Sequence, residues 1–546
     1  MKKKFLYTTS LALCLSVGAM AQKNPDAVKF SETINKDRAY SHLSILASDE
    51  YEGRNTAQKG GWMAAEYIKK QFQSFGLKGP VKGSADPYLQ PVGLVTNEIT
   101  SLSLSVNGKT KTHLKDFAVT NNGVPNTGLD ISGDEIVFAG YGLTKDGYDD
   151  FAGINAEGKI LLIFSAGDPT AKATTEGNAD PRAAMMARQR AMASIQKVKP
   201  KAVIYVDLNF EKTPEWQRKA ALNGRLTLKK ATTSTPSNAP QRAPQTPTFT
   251  VSAALANEIL KPSKQTVEAL SKQIMESAKP NSFVVKSAIK LNAKKAEVAQ
   301  KADNVLGFLE GSDPKLKEEV LVITAHYDHD GLVADPNAED KVYNGADDDG
   351  SGTTGILLLA EAFSKAAKAG KGPKRSILFM TVTGEEKGLL GSEWYAENPV
   401  FPVANTITNL NIDMIGRGDD NRPGNNDFVY IIGSNMLSDD LDRIGKKANE
   451  DYVGITLDEK YNNRTDPNRF YYRSDHYNFA KFGIPVIFYF NGVHKDYHKP
   501  SDEVDKIDFP MLAKRSQLVY FTAWELANGA NRPVVNKNED GTLKTN

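Results

Sequence analysis

The sequence predicts an α/β fold in which a mixed, mostly parallel sheet is flanked by helices and carries a smaller inserted α/β domain. From residue 304 onward, apolar runs typical of buried strands alternate with helical patterns. Near-continuous apolar strands separated by helices indicate a sheet that is covered on both faces. A shorter set of strands with one helix between residues 121 and 261 predicts the insert.

Residues 1–21 have the pattern of a secretory signal peptide. Three lysines precede an apolar run that ends in the small-residue pattern Ala19-Met20-Ala21, so we expect cleavage after Ala21. A membrane anchor fits less well, because a spanning helix needs roughly 20 apolar residues. We therefore expect a periplasmic or secreted protein that has no membrane contact after signal cleavage.

The composition argues against several classes of site and partner. The single cysteine, Cys14, lies inside the signal segment, so the expected mature chain has no disulfide, thiolate metal site or cysteine nucleophile. The 68 Lys and Arg residues nearly balance the 66 Asp and Glu residues. Such a balance does not favour nucleic acid or an anionic membrane as a partner. We expect a monomer, because no dedicated association domain is visible.

Residues 22–120 and 262–530 are predicted to form one discontinuous domain. Its first part opens with helical spacing over residues 30–76 and continues with short strands, among them residues 102–106. In its second part we predict strands at residues 320–324, 376–382, 406–412 and 485–490 and helices at residues 352–367 and 511–527. The polar residues 531–546 are expected to form a disordered tail.

The inserted domain is predicted to span residues 121–261. Its strands are expected at residues 135–139, 159–164 and 202–206, with a helix at residues 182–198. Residues 231–250 are rich in Thr, Ser, Pro, Asn and Gln and are predicted to form a mobile loop, since they offer few apolar side chains to pack.

Candidate metal ligands follow the predicted strands of the second part. In chain order they are His326 and Asp328, the aspartates 347–349, Glu385 and Glu386, Asp413, and Asp496 and His498. Open α/β sheets place their sites at the carboxyl ends of the strands, so these side chains are expected to meet. Three adjacent aspartates in such a place would repel one another unless a cation neutralised them.

The number and type of these ligands favour two metal ions. Two histidines with three or four carboxylates exceed the needs of one tetrahedral zinc and suit two divalent ions that share a bridging carboxylate. Zinc is the expected metal for mixed nitrogen and oxygen ligands, although cobalt or manganese could occupy the same set.

Five short motifs contain the candidate ligands. They are His326-Tyr327-Asp328, residues 345–352, residues 385–392, Asn411-Ile412-Asp413-Met414 and Asp496-Tyr497-His498. In order and spacing they resemble the M28 family of co-catalytic zinc aminopeptidases. The resemblance implies peptide substrates and a cis bond after Asp348. It also implies the following roles: His326 and Asp413 for one zinc, Glu386 and His498 for the other, Asp348 as their bridge, Glu385 as general base, Asp328 as partner of His326 and Tyr497 as a donor to the tetrahedral intermediate. Residues 137–142 and 158–163 resemble a protease-associated domain.

Other functions stay open at this point. A carboxypeptidase or dipeptidase of the same family shares the metal ligands, a glutaminyl cyclase has a related fold with one zinc, and a receptor-like binding protein can keep the fold without activity. Residues 473–476 could line the substrate pocket or be structural. His329 and His494 are equally ambiguous, whereas His42 and His113 are expected to be ordinary surface or packing residues.

Overall fold

The computed structural model describes residues 23–145, 147–170, 181–229 and 246–544. The predicted signal segment and residues 231–245 of the predicted mobile loop lie outside this part. The helices are α1 Pro25–Ser31, α2 Lys36–Leu46, α3 Lys59–Phe75, α4 Pro181–Val198, α5 Glu215–Ala220, α6 Ala253–Leu260, α7 Val267–Ser277, α8 Gly352–Lys368, α9 Leu390–Glu397, α10 Asp439–Ala448, α11 His476–Ala480 and α12 Phe509–Asn528.

In the described part of the chain, the strands form two large sheets and two small sheets of two strands each. They are β1 Leu89–Pro91, β2 Leu94–Val106, β3 Lys109–Lys111, β4 Phe117–Ala118, β5 Leu129–Ala139, β6 Thr144–Lys145, β7 Tyr148–Asp149, β8 Ile160–Phe164, β9 Ala202–Asp207, β10 Thr227–Leu228, β11 Thr248–Ser252, β12 Ser282–Gln300, β13 Asp303–Leu309, β14 Val320–His326, β15 Gly331–Leu332, β16 Val342–Tyr343, β17 Ser376–Val382, β18 Thr406–Ile412, β19 Phe428–Ile432, β20 Thr456–Asp458 and β21 Val486–Phe490.

The first sheet has the strand order β1-β13-β17-β14-β18-β21-β19-β20. Its central strands β17, β14, β18 and β21 are parallel to one another. Strand β13 pairs antiparallel with β17 and with β1 at one edge, and β19 pairs antiparallel with β21 toward the other edge. Helices α2, α3, α8 and α12 pack on one face, and α9 and α11 lie on the other. Both faces therefore carry a hydrophobic core. This confirms the predicted mixed, mostly parallel sheet flanked by helices.

The second sheet is larger than the sequence predicted. Its strand order is β10-β2-β12-β5-β8-β9-β11-β4. The long strands β2 and β12 pair with each other from Leu94 opposite Gln300 to Val106 opposite Ile289. The sheet thus extends from residue 94 to residue 300, beyond the expected boundaries at 121 and 261. Residues 248–250 of the predicted loop form part of β11, which pairs with β9.

The chain crosses between the two sheets at two adjacent points. Strand β1 passes into β2 through Val92 and Gly93, and β12 passes into β13 through Lys301 and Ala302. The Val92 N–H donates a 3.0 Å hydrogen bond to the Ala302 carbonyl. Beside this crossing lies an apolar group that we call the junction cluster: Val92, Leu94, Ala302 and Leu390, packed against Ala57, Leu226, Leu228 and Trp394.

The carboxyl-terminal segment is ordered as far as residue 544. Arg532 donates a 2.9 Å hydrogen bond to the Ala404 carbonyl, and Lys537 and Leu543 form a β-bridge. The expected disordered tail is therefore wrong for residues 531–544, because their backbone finds partners on the first domain and within the segment itself. None of the helices in the described ranges has the length and apolar character needed to cross a bilayer.

Candidate metal centre

The predicted ligands meet at the carboxyl edge of the first sheet. His326 is the last residue of β14, and Asp413 follows β18 directly. Glu385 and Glu386 lie in the turn after β17, and His498 follows β21. The remaining ligand, Asp348, lies in the tight turn that precedes α8. Because β14, β17, β18 and β21 are parallel, their ends bring these residues to one place.

The first group of donors consists of His326, Asp348 and Asp413. The Nε2 atom of His326 lies 3.3 Å from Asp348 Oδ1 and 3.6 Å from Asp413 Oδ1. The opposite ring nitrogen, Nδ1, lies 3.0 Å from the backbone carbonyl of Asp328. The main chain of Asp328 thus orients this ring, because its carboxylate is 3.9 Å away.

The carboxylate of Asp328 has other partners than the sequence predicted. It accepts a 2.7 Å hydrogen bond from Thr56 Oγ1 and a 3.2 Å hydrogen bond from the backbone N–H of Glu385. Asp328 therefore holds the backbone of the turn that carries Glu385 and Glu386.

The second group of donors consists of His498, Asp348 and Glu386. The Nε2 atom of His498 lies 3.1 Å from Asp348 Oδ2 and 3.3 Å from Glu386 Oε2. Two neighbours complete this group: His498 Nδ1 is 3.2 Å from Asp330 Oδ2, and His329 Nδ1 is 2.8 Å from Glu386 Oε1. Sequence reasoning left His329 open and missed Asp330, although both directly follow Asp328.

The three adjacent aspartates point in different directions. Asp349 accepts hydrogen bonds from the backbone N–H groups of His326, Gly352 and Met414, and the bond between Asp348 and Asp349 is cis as expected. Only the Asp348 carboxylate faces both donor groups, so the other two aspartates brace the turn.

Asp347 explains the position of His494. The ring Nε2 of His494 lies 3.1 Å from Asp347 Oδ2, on the side of the turn away from the donors. The backbone N–H groups of Asp347 and Asp348 both donate to Asp502 Oδ2, at 3.0 and 3.1 Å. His494 and Asp502 are thus supports of the turn, and sequence reasoning identified neither role.

Burial and charge perturb the titration of the site. The Asp348 carboxyl is buried, which raises its pKa, but the nearby rings of His326 and His498 hold that pKa well below its ordinary value. Burial raises the pKa of Glu385 well above its ordinary value, and His326 opposes this effect only in part. The pKa of Glu386 is raised by burial and by the charge of Asp348. Carboxylates that lie this close together repel one another, and a nearby positive charge would stabilise them.

The donor set fits two zinc ions. Buried Asp348 Oδ2 has no hydrogen-bond partner, although it faces the Nε2 atom of His498. In the two groups the histidine Nε2 atoms lie 3.1 to 3.6 Å from the carboxylate oxygens. Ligands bound at about 2.1 Å in a tetrahedron are separated by about 3.4 Å, so the spacing matches a zinc site. The two oxygens of Asp348 each belong to a different group, as a bridging carboxylate requires.

The part of the chain that carries this site is similar to a known protein family. Residues 304–523 match the model of Peptidase family M28. We call this segment, residues 304–523, the M28 domain after the matching model. The match supports the predicted family and the predicted enzyme class, a zinc-dependent hydrolase, for this segment. The resemblance of the insert to a protease-associated domain stays a prediction.

Three curated relatives illustrate the range of the similarity. A probable zinc metalloprotease of Pyrenophora tritici-repentis is 28% identical over 268 residues, which cover 42% of this chain and 52% of that protein. A probable leucine aminopeptidase of Arthroderma benhamiae is 29% identical, with coverage of 39% and 56%. A probable glutamate carboxypeptidase of Arabidopsis thaliana is 29% identical, with coverage of 35% and 27%. The chain spans about half the length of the first two and less of the third.

A pocket opens beside the donors of the M28 domain. Its polar wall contains Arg473 and Tyr497, and Arg473 Nη2 donates a 3.3 Å hydrogen bond to the Tyr497 hydroxyl. The rest of its wall is apolar and consists of Met414, Phe470, Phe488, Phe490 and Val493.

Residues 473–476 divide between the pocket and its support. Arg473 lines the pocket, and Ser474 Oγ donates a 2.6 Å hydrogen bond to Asp413 Oδ2. His476 is buried behind the pocket and stacks on Phe488 with 4.8 Å between the ring centroids. The loop therefore has both of the roles that the sequence left open.

Proposed function

We propose that the protein is an exported aminopeptidase that removes amino acids from the amino terminus of peptides with a two-zinc site. The observation that carries the proposal is the position of Asp348, whose two oxygens face two separate donor groups. The match of residues 304–523 to the model of Peptidase family M28 supports peptide hydrolysis. Export is proposed from the signal pattern of residues 1–21.

His326, Asp348 and Asp413 would hold one zinc ion, and Asp348, Glu386 and His498 would hold the other. Zinc ions held there would lower the pKa of a bound water and polarise the scissile carbonyl. The residue available to remove a proton from that water is Glu385, which lines the same pocket. Its raised pKa suits a group that accepts a proton and returns it to the leaving amine.

Two further groups are placed to assist. The Tyr497 hydroxyl, which accepts from Arg473, can donate its own proton to an oxygen that becomes negative in the transition state. Burial raises the pKa of Tyr497 above its ordinary value, so the hydroxyl stays protonated at neutral pH. Asp328 fixes the backbone of Glu385 and so keeps the base next to the donors.

The pocket favours an apolar amino-terminal side chain. Met414, Phe470, Phe488 and Phe490 are all buried and give the wall beside the reacting bond an apolar surface. Burial of a Leu or Phe side chain in such surroundings is worth about 1.5–3 kcal/mol. We therefore propose leucine, phenylalanine and methionine as preferred first residues, with charged first residues as poor substrates.

The test is release of amino acids from matched unblocked, amino-acetylated and carboxy-amidated peptides, with and without a zinc chelator. Chelator-sensitive release that requires a free amino terminus supports the proposal. Cleavage of acetylated peptides from the carboxyl end would instead identify a carboxypeptidase. Amino-terminal sequencing of the exported protein tests the export proposal, which expects Gln22 as the first residue.

A further inference from the structure

A second opening leads outward from Glu385 and Glu386 and is built by both domains. We call it the outer cleft. The M28 domain contributes Lys387, Gly388, Tyr472 and Arg473, and the inserted domain contributes residues 223–226. The outer cleft starts at the proposed general base, so it is the direction in which the remainder of a bound substrate can extend.

Arg225 occupies a fixed place on the inserted side of this cleft. The next strand, β10, pairs with β2 through Leu228 and Leu94. Leu226 and Leu228 pack in the junction cluster against Leu390 and Trp394 of α9. On the other side, a Cβ at Gly224 would lie 2.6 Å from the Asn97 carbonyl, so the backbone there is tightly packed. The position of Arg225 therefore depends on contacts with both domains.

The side chain of Arg225 reaches over the turn that carries the base. Its Nη2 atom lies 3.4 Å from the position that a Cβ would take at Gly388. Gly388 has φ of +111° and lies one turn after Glu385, whose carbonyl accepts its N–H at 2.8 Å. A side chain at this position would meet the guanidinium, whereas glycine leaves the space open.

The charge of the outer cleft suits an anion. Lys387 pairs with Asp330 at 3.3 Å, but within the described ranges neither Arg225 nor Arg473 forms an ion pair. Arg473 instead stacks on Phe470 and donates to Tyr497. Arginine binds carboxylates through two parallel hydrogen bonds, so these guanidinium groups favour a carboxylate ligand.

We infer that Arg225 binds the free α-carboxylate of dipeptide and tripeptide substrates. The inference rests on the proposed aminopeptidase function. Glu385, Gly388 and Arg225 line the same cleft, and an extended residue spans about 3.5 Å. The inference therefore places at Arg225 a carboxylate that lies one or two residues beyond the scissile bond. The insert then selects short peptides, because only in these does the carboxylate coincide with the guanidinium.

The test compares kcat/KM of the zinc-loaded enzyme for Leu-Leu-Leu and its carboxy-terminal amide. We expect the free acid to be preferred at least about tenfold, the size of one charge-assisted hydrogen bond. The same comparison on a decapeptide should give a ratio near one, since its carboxylate lies beyond Arg225. In Arg225→Gln the tripeptide ratio should fall to near one, and Arg225→Lys should keep part of it.

The matched control is Lys219→Gln, which removes the same charge from an exposed residue of α5 outside the cleft. It should keep the wild-type ratio. A wild-type ratio near one, or an Arg225→Gln ratio equal to wild type, would overturn the inference while leaving the aminopeptidase proposal in place. If neither tripeptide releases its amino-terminal leucine, the proposed function itself fails.

Discussion

Ser474 donates a 2.6 Å hydrogen bond to Asp413 Oδ2. The hydroxyl of Ser474 in turn accepts a 2.8 Å hydrogen bond from Asn411, whose side-chain oxygen accepts a 2.6 Å hydrogen bond from Thr324. All four residues are buried. This chain of hydrogen bonds connects β14, β18 and the loop before α11, and it turns the other oxygen of Asp413 toward His326.

We therefore expect Ser474→Ala to weaken zinc binding by about tenfold or more, the usual effect of removing a partner that orients a metal ligand. Competition with a chromogenic chelator measures the zinc Kd directly and does not depend on activity. Ser516→Ala is the control, since that serine is buried in α12 and its hydroxyl has no hydrogen-bond partner. Equal zinc Kd values for the two variants would contradict the role of Ser474.

Glu385→Gln should lower kcat by about a hundredfold or more, because an amide cannot accept the proton of the attacking water. The zinc content should stay at two ions per chain, since the Glu385 carboxylate belongs to neither donor group. Stopped assays and metal analysis of the same sample measure both quantities. Glu397→Gln, at the exposed end of α9, controls for the loss of a charge. A variant with wild-type kcat would remove Glu385 from the mechanism.

Arg54 connects the amino-terminal segment to the metal site. Its buried guanidinium donates to the backbone carbonyls of Leu46, Tyr327, Asn344 and Gly345 at 2.7 to 2.8 Å. Arg54→Met leaves these carbonyls without donors and should lower the free energy of unfolding by about 3 kcal/mol. Arg54→Lys should retain little of this stability, because an ammonium group cannot donate to all four carbonyls at once. Denaturant unfolding checks both variants, and a loss below about 1 kcal/mol in Arg54→Met would contradict the role.

Several of the candidate metal ligands were predictable from the sequence because His326, Glu386 and Asp413 lie at the end of an apolar strand or within a few residues of it. Strands β17 and β18 begin and end where the pattern predicted. The supports were not predictable in the same way. Arg54 lies far from the ligands along the chain, and Asp502 follows His498 closely but supports a turn that lies 154 residues earlier. Only the fold brings these two side chains to the turn around Asp348. A short motif cannot contain such contacts.

The boundaries of the insert show the same limitation. Strand β2 resembles any half-exposed strand, since it begins with three buried residues and continues with partly and fully exposed positions through its middle. Its partner β12 lies almost two hundred residues later. The alternation of buried and exposed residues within β12 does not identify the strand that pairs with it. Strand pairing over such a distance depends on the whole sheet, so the sequence assigned both strands to the wrong side of the boundary.

His42 should make stability depend on pH outside the metal site. Its ring is 2% exposed, and burial together with the nearby Arg38 charge lowers its pKa to about 4. The unfolded chain binds this proton below about pH 6.5, so the neutral ring stabilises the fold fully above that pH. This contribution is lost as the pH falls from 6.5 toward 4, and by pH 5 the loss amounts to about 2 kcal/mol.

Urea unfolding of the zinc-free protein at pH 7.5 and pH 5 measures this effect. His42→Gln should show a smaller decrease in the free energy of unfolding between the two pH values than the wild type, by about 2 kcal/mol. Because only the decrease between the two pH values is compared, any constant destabilisation by glutamine, such as loss of the contact with Tyr67, cancels. Equal decreases in the free energy of unfolding for the two proteins would mean that His42 titrates normally in the folded protein.

The two crossings between the sheets lie side by side, with Pro91 opposite Asp303 on one side and Leu94 opposite Gln300 on the other. A short turn from Pro91 to Asp303 would close the first sheet as an ordinary β-hairpin. The insert is thus a cassette that genetic rearrangement can add, exchange or delete without altering the strand order of the M28 domain. Arg225 would travel with the cassette, so evolution can revise the choice of peptide length while it leaves the hydrolytic centre untouched.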